Sequence, residues 1–553
     1  MFRILDGRCG HYALLLLTAL ALILPNLGAP SLWDLDEGNN AEAAREMLDC
    51  GNWVVPTFNY QLRVDKPALL YWLQIGAYRL FGINELAARL PSALAALAAV
   101  AMTYELGRHL FGSATGLLAG LALASTALFC ASAHFANPDA LLNAFTLLTL
   151  LLFWRSFAGR GRAWSAAGGI SAGFAVLAKG PIGLLLPAAV IAIFLLCSRR
   201  LRLLWERRLL VATLAFLLVA SPWYIWVGVE TKSAFLRGFI MEHNVGRYLH
   251  SMEHHGGPVY YYLGVLAVGF APWSAFLGLA GWYGAAPRAG DDVQQVVSEP
   301  VLPAGYRFLW CWIAVYFVFF SLAGTKLPNY ILPVYAPLAI LTARFFDRWR
   351  HGAIEPAAWA LYGSVAVFAL VGIGTSLALL VAGGRLPVPV LHGRQLSGLA
   401  DWAVLGAWPV LGAGMAWWWL RRRQHGATIV SISCSCILFV GGLFAWGSLA
   451  VDAHKATRAL IQAAQAQQTD RDIRVGCYQY FQPSLVFYCR REVQRLQTEE
   501  QVMGFLHCPL PVYLFLPATT WDSLRTRVSG PHRLLARHED LYRRHDVVVV
   551  GNR

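Results

Sequence analysis

Apolar runs of about twenty residues recur from the start of the chain to about residue 450, and a helix of that length crosses the hydrocarbon core of a bilayer. About thirteen such windows can be placed, at 11–28, 86–107, 112–133, 138–157, 164–178, 180–197, 209–228, 259–283, 305–323, 329–345, 356–383, 401–420 and 427–449. Charged residues make up only 14% of the chain, against about 25% in soluble domains. The sequence therefore predicts an α-helical, multi-span membrane protein.

Arginine-rich loops predict the orientation, because Lys and Arg concentrate in cytoplasmic loops. With the N terminus inside, four arginine-rich loops fall on the inner side: 155–162, 199–208, 344–350 and 421–423. Residues 29–85, residues 229–257 and everything after about 450 then lie outside. These loops hold much of the formal net charge of +14, so no nucleic-acid partner is predicted.

A change of composition after residue 450 predicts two domains. Residues 1–450 form a transmembrane domain that includes the outer loops 29–85 and 229–257. Residues 451–553 form a small α/β domain outside the membrane, with strands at 473–478, 511–516 and 547–550 and helices at 484–491, 499–507 and 521–528. No glycine-rich phosphate loop occurs, which disfavours a nucleotide-sugar donor.

The polar stretch 33–72 is the main candidate for a functional site, because charge beside hydrocarbon is costly unless it is paired or used. Its Asp36 is the leading candidate for a general base or a residue that orients the nucleophile. Glu37, and Asp139 at the outer end of a later span, are further catalytic candidates. Helix capping is the alternative role for Asp36 and Asp139.

Cations on the same outer side suit a lipid-linked phosphate at headgroup depth. The predicted phosphate-binding residues are Lys66, Arg63, Lys326 and Arg247. Sugar binding is predicted for Tyr60, Asp65, Tyr71 and Tyr330. The tyrosines have an alternative place in the aromatic belt of the membrane interface.

Two features leave alternatives open. Lys179 either lies at a reversed hairpin on the outer surface or reaches the headgroups with its long side chain. His254 and His255, beside Glu253, either bind a divalent cation or lie in a solvated loop. Adjacent histidines lack the spacing of metal ligands on one helix face, so no metal site is predicted and a divalent cation is left open.

Several segments together carry a resemblance to a known family. They are 36–37, 41–48, 51–56, 65–67, 71–72, 81–85, 88–89, 326–333 and 480–488. As a set they resemble the aminoarabinose transferases, relatives of the protein O-mannosyltransferases. The sequence departs from that family at Gly38-Asn39-Asn40, where an Arg-Tyr pair is frequent, and at Asp65, where glutamate is usual.

The resemblance implies a GT-C membrane glycosyltransferase with a periplasmic active site in the bacterial inner membrane. Its donor is a sugar on undecaprenyl phosphate, 4-amino-4-deoxy-L-arabinose or a related sugar, and its acceptor is a phosphate of lipid A, a modification that gives polymyxin resistance. Asp36 is then the catalytic carboxylate and Lys66 holds the donor phosphate, with no cofactor besides the lipid-linked donor. The alternatives are a protein or glycan O-glycosyltransferase with a polyprenyl-phosphate donor and a transporter of lipid-linked sugars.

Overall fold

The computed structural model describes residues 7–34, 36–157, 162–251, 255–284, 301–386, 388, 395–467, 472–542 and 545–552. Most of the chain before residue 453 is helical. Its helices are α1 (Arg8–Ile23), α2 (Asp36–Asp49), α3 (Leu69–Phe81), α4 (Glu85–Phe111), α5 (Ser113–Ala124), α6 (Ala127–Ala133), α7 (Asp139–Phe157), α8 (Arg162–Lys179), α9 (Ile182–Cys197), α10 (Arg207–Glu230), α11 (Ala234–Arg237), α12 (Arg247–Leu249), α13 (Tyr261–Gly269), α14 (Leu277–Gly284), α15 (Val301–Leu322), α16 (Tyr335–Arg350), α17 (Ala358–Ala382), α18 (Ala407–Arg421), α19 (His425–Gly441) and α20 (Gly447–Asp452).

Tighter or wider helical turns join several of these helices. The 3-10 turns are Leu201–Trp205, Trp273–Phe276, Pro328–Val334 and Leu399–Gly406, and the π turns are Gly238–Gly246 and Gly442–Trp446. The start of α4 is fixed by its local sequence. The Asn84 side chain accepts a hydrogen bond from the Ala87 amide at 2.9 Å and caps the helix. Close packing of α4 against α5 requires glycine at position 116, because a Cβ there would lie 2.5 Å from the Tyr104 carbonyl oxygen.

The multi-pass membrane architecture is confirmed, but the count of thirteen spans is not. Among the described residues, seven helices are long and apolar enough to cross a membrane, or nine if each of two bent pairs is one span. The bent pairs are α5 with α6, at 68°, and α13 with α14, at 113°. The predicted span 329–345 covers a 3-10 turn and most of α16, which is almost entirely buried within the protein. An apolar window alone does not separate a buried helix from a membrane-spanning one.

The last hundred residues form the predicted α/β structure. Its elements are α21 (Ala456–Ala464), β3 (Arg474–Tyr478), α22 (Pro483–Cys489), β4 (Val493–Leu496), α23 (Glu499–Leu506), β5 (Val512–Pro517), α24 (Ala518–Leu524), β6 (Arg533–His538) and β7 (Val547–Gly551). The sheet order is β4-β3-β5-β7-β6. Strand β3 pairs in parallel with β4 and β5, whereas β7 is antiparallel to β5 and β6. The sequence analysis missed the edge strands β4 and β6, whose side chains are largely exposed.

The polar stretch 33–72 folds between the membrane helices and this sheet. It contains α2 and a short hairpin of β1 (Thr57–Phe58) and β2 (Gln61–Leu62). Ala41 and Met47 of α2 share a buried apolar cluster with Val475 of β3 and Leu485 of α22. Helix α22 of the C-terminal structure therefore packs directly on the element that begins with Asp36.

Candidate functional site

Asp36 begins α2 and exposes its carboxylate. Within the described part of the chain, that carboxylate makes no hydrogen bond or ion pair. It is electrostatically coupled to Lys66, Arg63 and Tyr71. The structure thus places a free carboxylate beside cations, a position from which it can contact a substrate.

Lys66 lies in the loop before α3 and is partly buried. Burial, together with the nearby charges of Lys179, Arg247 and Arg63, lowers the pKa of the Lys66 ammonium to about 8, although Asp36 opposes the shift. No described residue accepts a hydrogen bond from this ammonium. A cation that is repelled by its neighbours and lacks a partner favours binding of an anion.

Arg63 fixes this loop against α2. Its Nε donates to the Tyr71 hydroxyl at 3.1 Å, and its terminal nitrogen donates to Asn40 Oδ1 at 3.2 Å. The guanidinium also pairs with Asp65 at 3.3 Å. His243 Nε2 lies 3.3 Å from the other Asp65 oxygen, so the loop and the π turn Gly238–Gly246 meet at Asp65.

Asp139 connects three further elements at the site. It is buried, forms an ion pair with Lys179 and accepts a hydrogen bond from the Asn329 amide at 2.8 Å. The Lys179 ammonium lies 4.8 Å from the centre of the Tyr330 ring, and Arg247 donates to the Tyr330 hydroxyl at 3.4 Å. The alternative in which Lys179 only reaches the headgroups is wrong, because its side chain is 10% exposed and paired.

Glu37 is fully buried and has four hydrogen-bond donors. Arg89 donates to both of its oxygens, at 2.8 and 2.9 Å. The backbone amides of Trp33 and Ala136 donate at 2.7 and 2.6 Å. Both oxygens are thus used within the protein, an arrangement that favours a role in positioning α2 over contact with substrate.

Of the remaining predicted site residues, Tyr60 lies away from this group, whereas Lys326 follows Thr325, whose backbone amide donates to the Arg247 carbonyl at 3.2 Å. The Tyr60 side chain is exposed, and its backbone amide donates to Glu46 at 3.1 Å. Because Glu46 lies ten residues after Asp36 in one helix, the two are separated by about 15 Å along the axis. The buried Lys326 ammonium donates to the Ala323 carbonyl, and its backbone amide donates to His255 at 2.8 Å.

Of the residues considered for a divalent cation, His254 and Glu253 lie outside the described residues. Within the described ranges, no group of three or more His, Cys, Asp or Glu side chains is arranged to hold a metal ion. The sequence analysis missed Asn40, Arg89, His243 and Asn329. Arg89 and Asn329 lay within recognised segments, 88–89 and 326–333, but neither was named as a site residue.

Comparison with known proteins gives four findings on sequence. Residues 65–226 match the family described as dolichyl-phosphate-mannose-protein mannosyltransferase. An undecaprenyl phosphate-alpha-4-amino-4-deoxy-L-arabinose arabinosyl transferase of Pseudomonas aeruginosa strain LESB58 is 31% identical over 426 residues, which cover 75% of this chain and 73% of that protein. The protein of the same name from Erwinia tasmaniensis is 32% identical over 343 residues, which cover 60% of this chain and 59% of the relative.

An uncharacterized Aquifex aeolicus protein is 32% identical over 339 residues, or 61% of this chain and 64% of its own length. The chain thus spans about three fifths of the Erwinia and Aquifex relatives. Among solved structures, ArnT from Cupriavidus metallidurans bound to undecaprenyl phosphate has a TM-score of 0.79 at 24% identity, covering 99% of both chains. Its apo form has a TM-score of 0.76. The two proteins therefore share one fold along their whole length.

Proposed function

Because the chain belongs to the family of undecaprenyl phosphate-alpha-4-amino-4-deoxy-L-arabinose arabinosyl transferases, we propose that it is a membrane glycosyltransferase. It moves 4-amino-4-deoxy-L-arabinose, or a related sugar, from undecaprenyl phosphate to a phosphate of lipid A. The observation that carries the proposal is the partner-free Lys66 ammonium, coupled to Lys179, Arg247 and Arg63, beside the exposed carboxylate of Asp36. This arrangement supports a donor that carries its sugar on a lipid phosphate.

In this reaction the bond between the anomeric carbon and the donor phosphate oxygen breaks, and undecaprenyl phosphate leaves with the bonding electrons. An acceptor oxygen forms the new bond to the anomeric carbon. Lys66 and Arg247 stabilise the charge that develops on the leaving phosphate. Lys179 and Arg63 add positive potential, while their ion pairs with Asp139 and Asp65 hold them in place.

The role of Asp36 depends on the acceptor. A lipid A phosphate is already an anion and needs no base, so Asp36 orients the sugar amine or the acceptor, and the cations screen the two phosphates from each other. A hydroxyl acceptor loses a proton in the transition state, and Asp36 would take it. Neither role needs a cofactor beyond the lipid-linked donor.

The second candidate is a protein or glycan O-glycosyltransferase with a polyprenyl-phosphate donor. The match of residues 65–226 to the mannosyltransferase family favours this alternative. Both candidates use the same donor site and differ in the acceptor. A transporter is disfavoured, because transporters hold substrate near the bilayer midplane, whereas Asp139 and Lys179 lie at the first and last residues of their helices.

The proposed location is the bacterial inner membrane, with the site facing the periplasm. The arginine-rich loops support this orientation. Residues 1–450 then form the transmembrane catalytic domain, and residues 451–553 form a periplasmic α/β domain. Partners are the lipid-linked sugar, lipid A and the surrounding membrane lipids.

The proposal is tested by mass spectrometry of lipid A from the source cells, a deletion strain and strains complemented with wild-type protein or with Asp36→Asn. We expect a pentosamine-sized mass increment that disappears on deletion, returns with wild type and does not return with Asp36→Asn. Identical lipid A in all four strains would exclude this acceptor. Periplasmic proteins and glycans from the same strains would then decide whether the second candidate holds.

A further inference from the structure

In the segment 31–34, between α1 and α2, side chains accept the hydrogen bonds of the backbone amides. Each of its four backbone amides donates to a side chain, in chain order Asp452 Oδ1 at 2.8 Å, Tyr488 Oη at 2.8 Å, Glu37 Oε2 at 2.7 Å and Tyr542 Oη at 3.0 Å. Backbone amides without secondary structure need such partners when water is excluded. Three of the four acceptors come from residues after 450.

In further contacts, groups after residue 450 donate hydrogen bonds to the segment 31–34. The backbone amide of Ser484, in the first turn of α22, donates to Asp34 Oδ1 at 2.9 Å, so Asp34 satisfies an amide that the helix leaves unpaired. Lys455 donates to the Ser31 carbonyl at 2.6 Å and lies 4.1 Å from the centre of the Trp33 ring. The segment is therefore bonded to α20, α22 and the loop before β7.

The first turn of α2 also contacts the C-terminal residues. Gly38 packs so closely on α22 that a Cβ at this position would lie 2.5 Å from the Ser484 amide nitrogen and 2.9 Å from the Pro483 carbonyl carbon. Its backbone amide donates to the Trp33 carbonyl at 3.3 Å. No side chain fits between α2 and the C-terminal residues here, two positions after Asp36.

We propose that the C-terminal unit, residues 452–551, positions the reactive carboxylate. By holding the segment 31–34 and the first turn of α2, it sets where Asp36 lies relative to Lys66. Asp34 and Tyr542 are positioning residues in this arrangement and do not contact substrate. The consequence for catalysis rests on the proposed function, whereas the consequence for local structure does not.

Two kinds of measurement on the full-length protein in detergent or nanodiscs test this inference. Hydrogen exchange of peptides covering residues 31–48 reports the local structure, and steady-state transfer kinetics report kcat and KM for the lipid-linked donor. The variants are Tyr542→Phe, which removes one hydroxyl from a partly exposed ring, and Asp34→Ala. Asp34→Asn keeps an oxygen that can accept from Ser484. The matched control is Tyr513→Phe in β5, since the Tyr513 hydroxyl makes no hydrogen bond with any described residue.

We expect Tyr542→Phe and Asp34→Ala to speed amide exchange in 31–40 about two- to tenfold, the effect of losing one hydrogen bond. The value of kcat should fall by a similar factor while KM for the donor stays unchanged, because Lys66 and its neighbours are untouched. Asp34→Asn and Tyr513→Phe should behave as wild type in both measurements.

Two results would overturn the inference. One is unchanged exchange in 31–40 in both Tyr542→Phe and Asp34→Ala. The other is faster exchange with no change in kcat. A wild-type protein that transfers no sugar would instead refute the proposed function, and the exchange measurement would still decide whether the C-terminal unit holds this segment.

Discussion

The carboxylate of Asp36 and the ammonium of Lys66 are the two side chains on which the proposed reaction depends most directly. Both lie in segments that the sequence analysis recognised, at 36–37 and 65–67, so both were predicted. The residues that surround them were not all predicted. His243 contacts Asp65, and Asn329 contacts Asp139, each more than a hundred residues away in the chain. No local sequence pattern predicts such contacts. Tyr60 was predicted from its position in the loop, but a hairpin turns it toward the far end of α2.

Replacing Asp36 should separate binding from transfer. In Asp36→Asn we expect kcat to fall by about 10²-fold, the effect of losing a group that orients the sugar amine or the acceptor. Binding of undecaprenyl phosphate should remain within about threefold, since Lys66 and Arg247 are unchanged. Asp49→Asn, at the other end of α2, is the matched control and should leave kcat as in wild type. Equal kcat in Asp36→Asn and wild type would remove Asp36 from the site.

Lys66 should make donor binding depend on pH. Its pKa is lowered to about 8, and an anion binds the protonated form, so affinity for undecaprenyl phosphate should fall as pH rises above about 8. The lipid phosphate, with a second pKa of about 6, does not titrate in that range. Binding titrations from pH 7 to 10 measure this dependence.

Two substitutions of Lys66 test whether this residue causes the pH dependence of binding. Lys66→Arg should keep affinity constant over this range, because a guanidinium stays protonated. Lys66→Ala should bind about ten- to a hundredfold more weakly at pH 7, the loss of a charged hydrogen bond. Full affinity in Lys66→Ala would show that other cations hold the phosphate.

At the scale of helices and strands, α2 is the element that carries Asp36, and it is fixed from three sides. The buried pair of Glu37 and Arg89 joins it to α4, Arg63 joins it to the loop before α3, and α22 packs on its apolar face. The sequence predicted the helix but assigned catalysis to Glu37. Its partner Arg89 was visible only as part of the resemblance, because a salt bridge across 52 residues leaves no periodic pattern.

Breaking the Glu37–Arg89 pair should destabilise the protein strongly. Arg89→Ala leaves a buried carboxylate without its partner, which costs about 3–5 kcal/mol. Thermal unfolding in detergent should show a clear decrease in melting temperature. The control is Arg525→Ala, whose ion pair with Asp522 is exposed and contributes at most about 1 kcal/mol. Similar melting temperatures for the two variants would contradict the structural role assigned to Glu37.

For the whole molecule, hydropathy predicted a multi-span helical protein, and composition predicted an α/β structure after residue 450. The predicted number of thirteen spans is not confirmed, because among the described residues seven helices, or nine with each of two bent pairs taken as one span, are long and apolar enough to cross a membrane. Edge strands β4 and β6 were missed, since strands that expose their side chains lack an apolar run. The fold of ArnT from Cupriavidus metallidurans matches along 99% of the chain.

Two exposed cysteines that are predicted to lie on opposite sides of the membrane allow the orientation of the protein to be measured. Cys50, after α2, should lie in the periplasm, and Cys197, at the end of α9, should face the cytoplasm; both are exposed. In variants that keep only one of these cysteines, a membrane-impermeant maleimide added to spheroplasts should label Cys50. Cys197 should be labelled only after permeabilisation. The reverse pattern would place the site in the cytoplasm.

The most direct test of the account is transfer by purified protein, with undecaprenyl phosphate-linked 4-amino-4-deoxy-L-arabinose as donor, lipid A as acceptor and mass spectrometry of the products. We expect wild-type protein to produce lipid A carrying the added pentosamine together with free undecaprenyl phosphate, and Asp36→Asn to produce neither. If wild-type protein leaves lipid A unmodified while binding the donor and retaining its fold, lipid A is not the acceptor and the central claim is wrong.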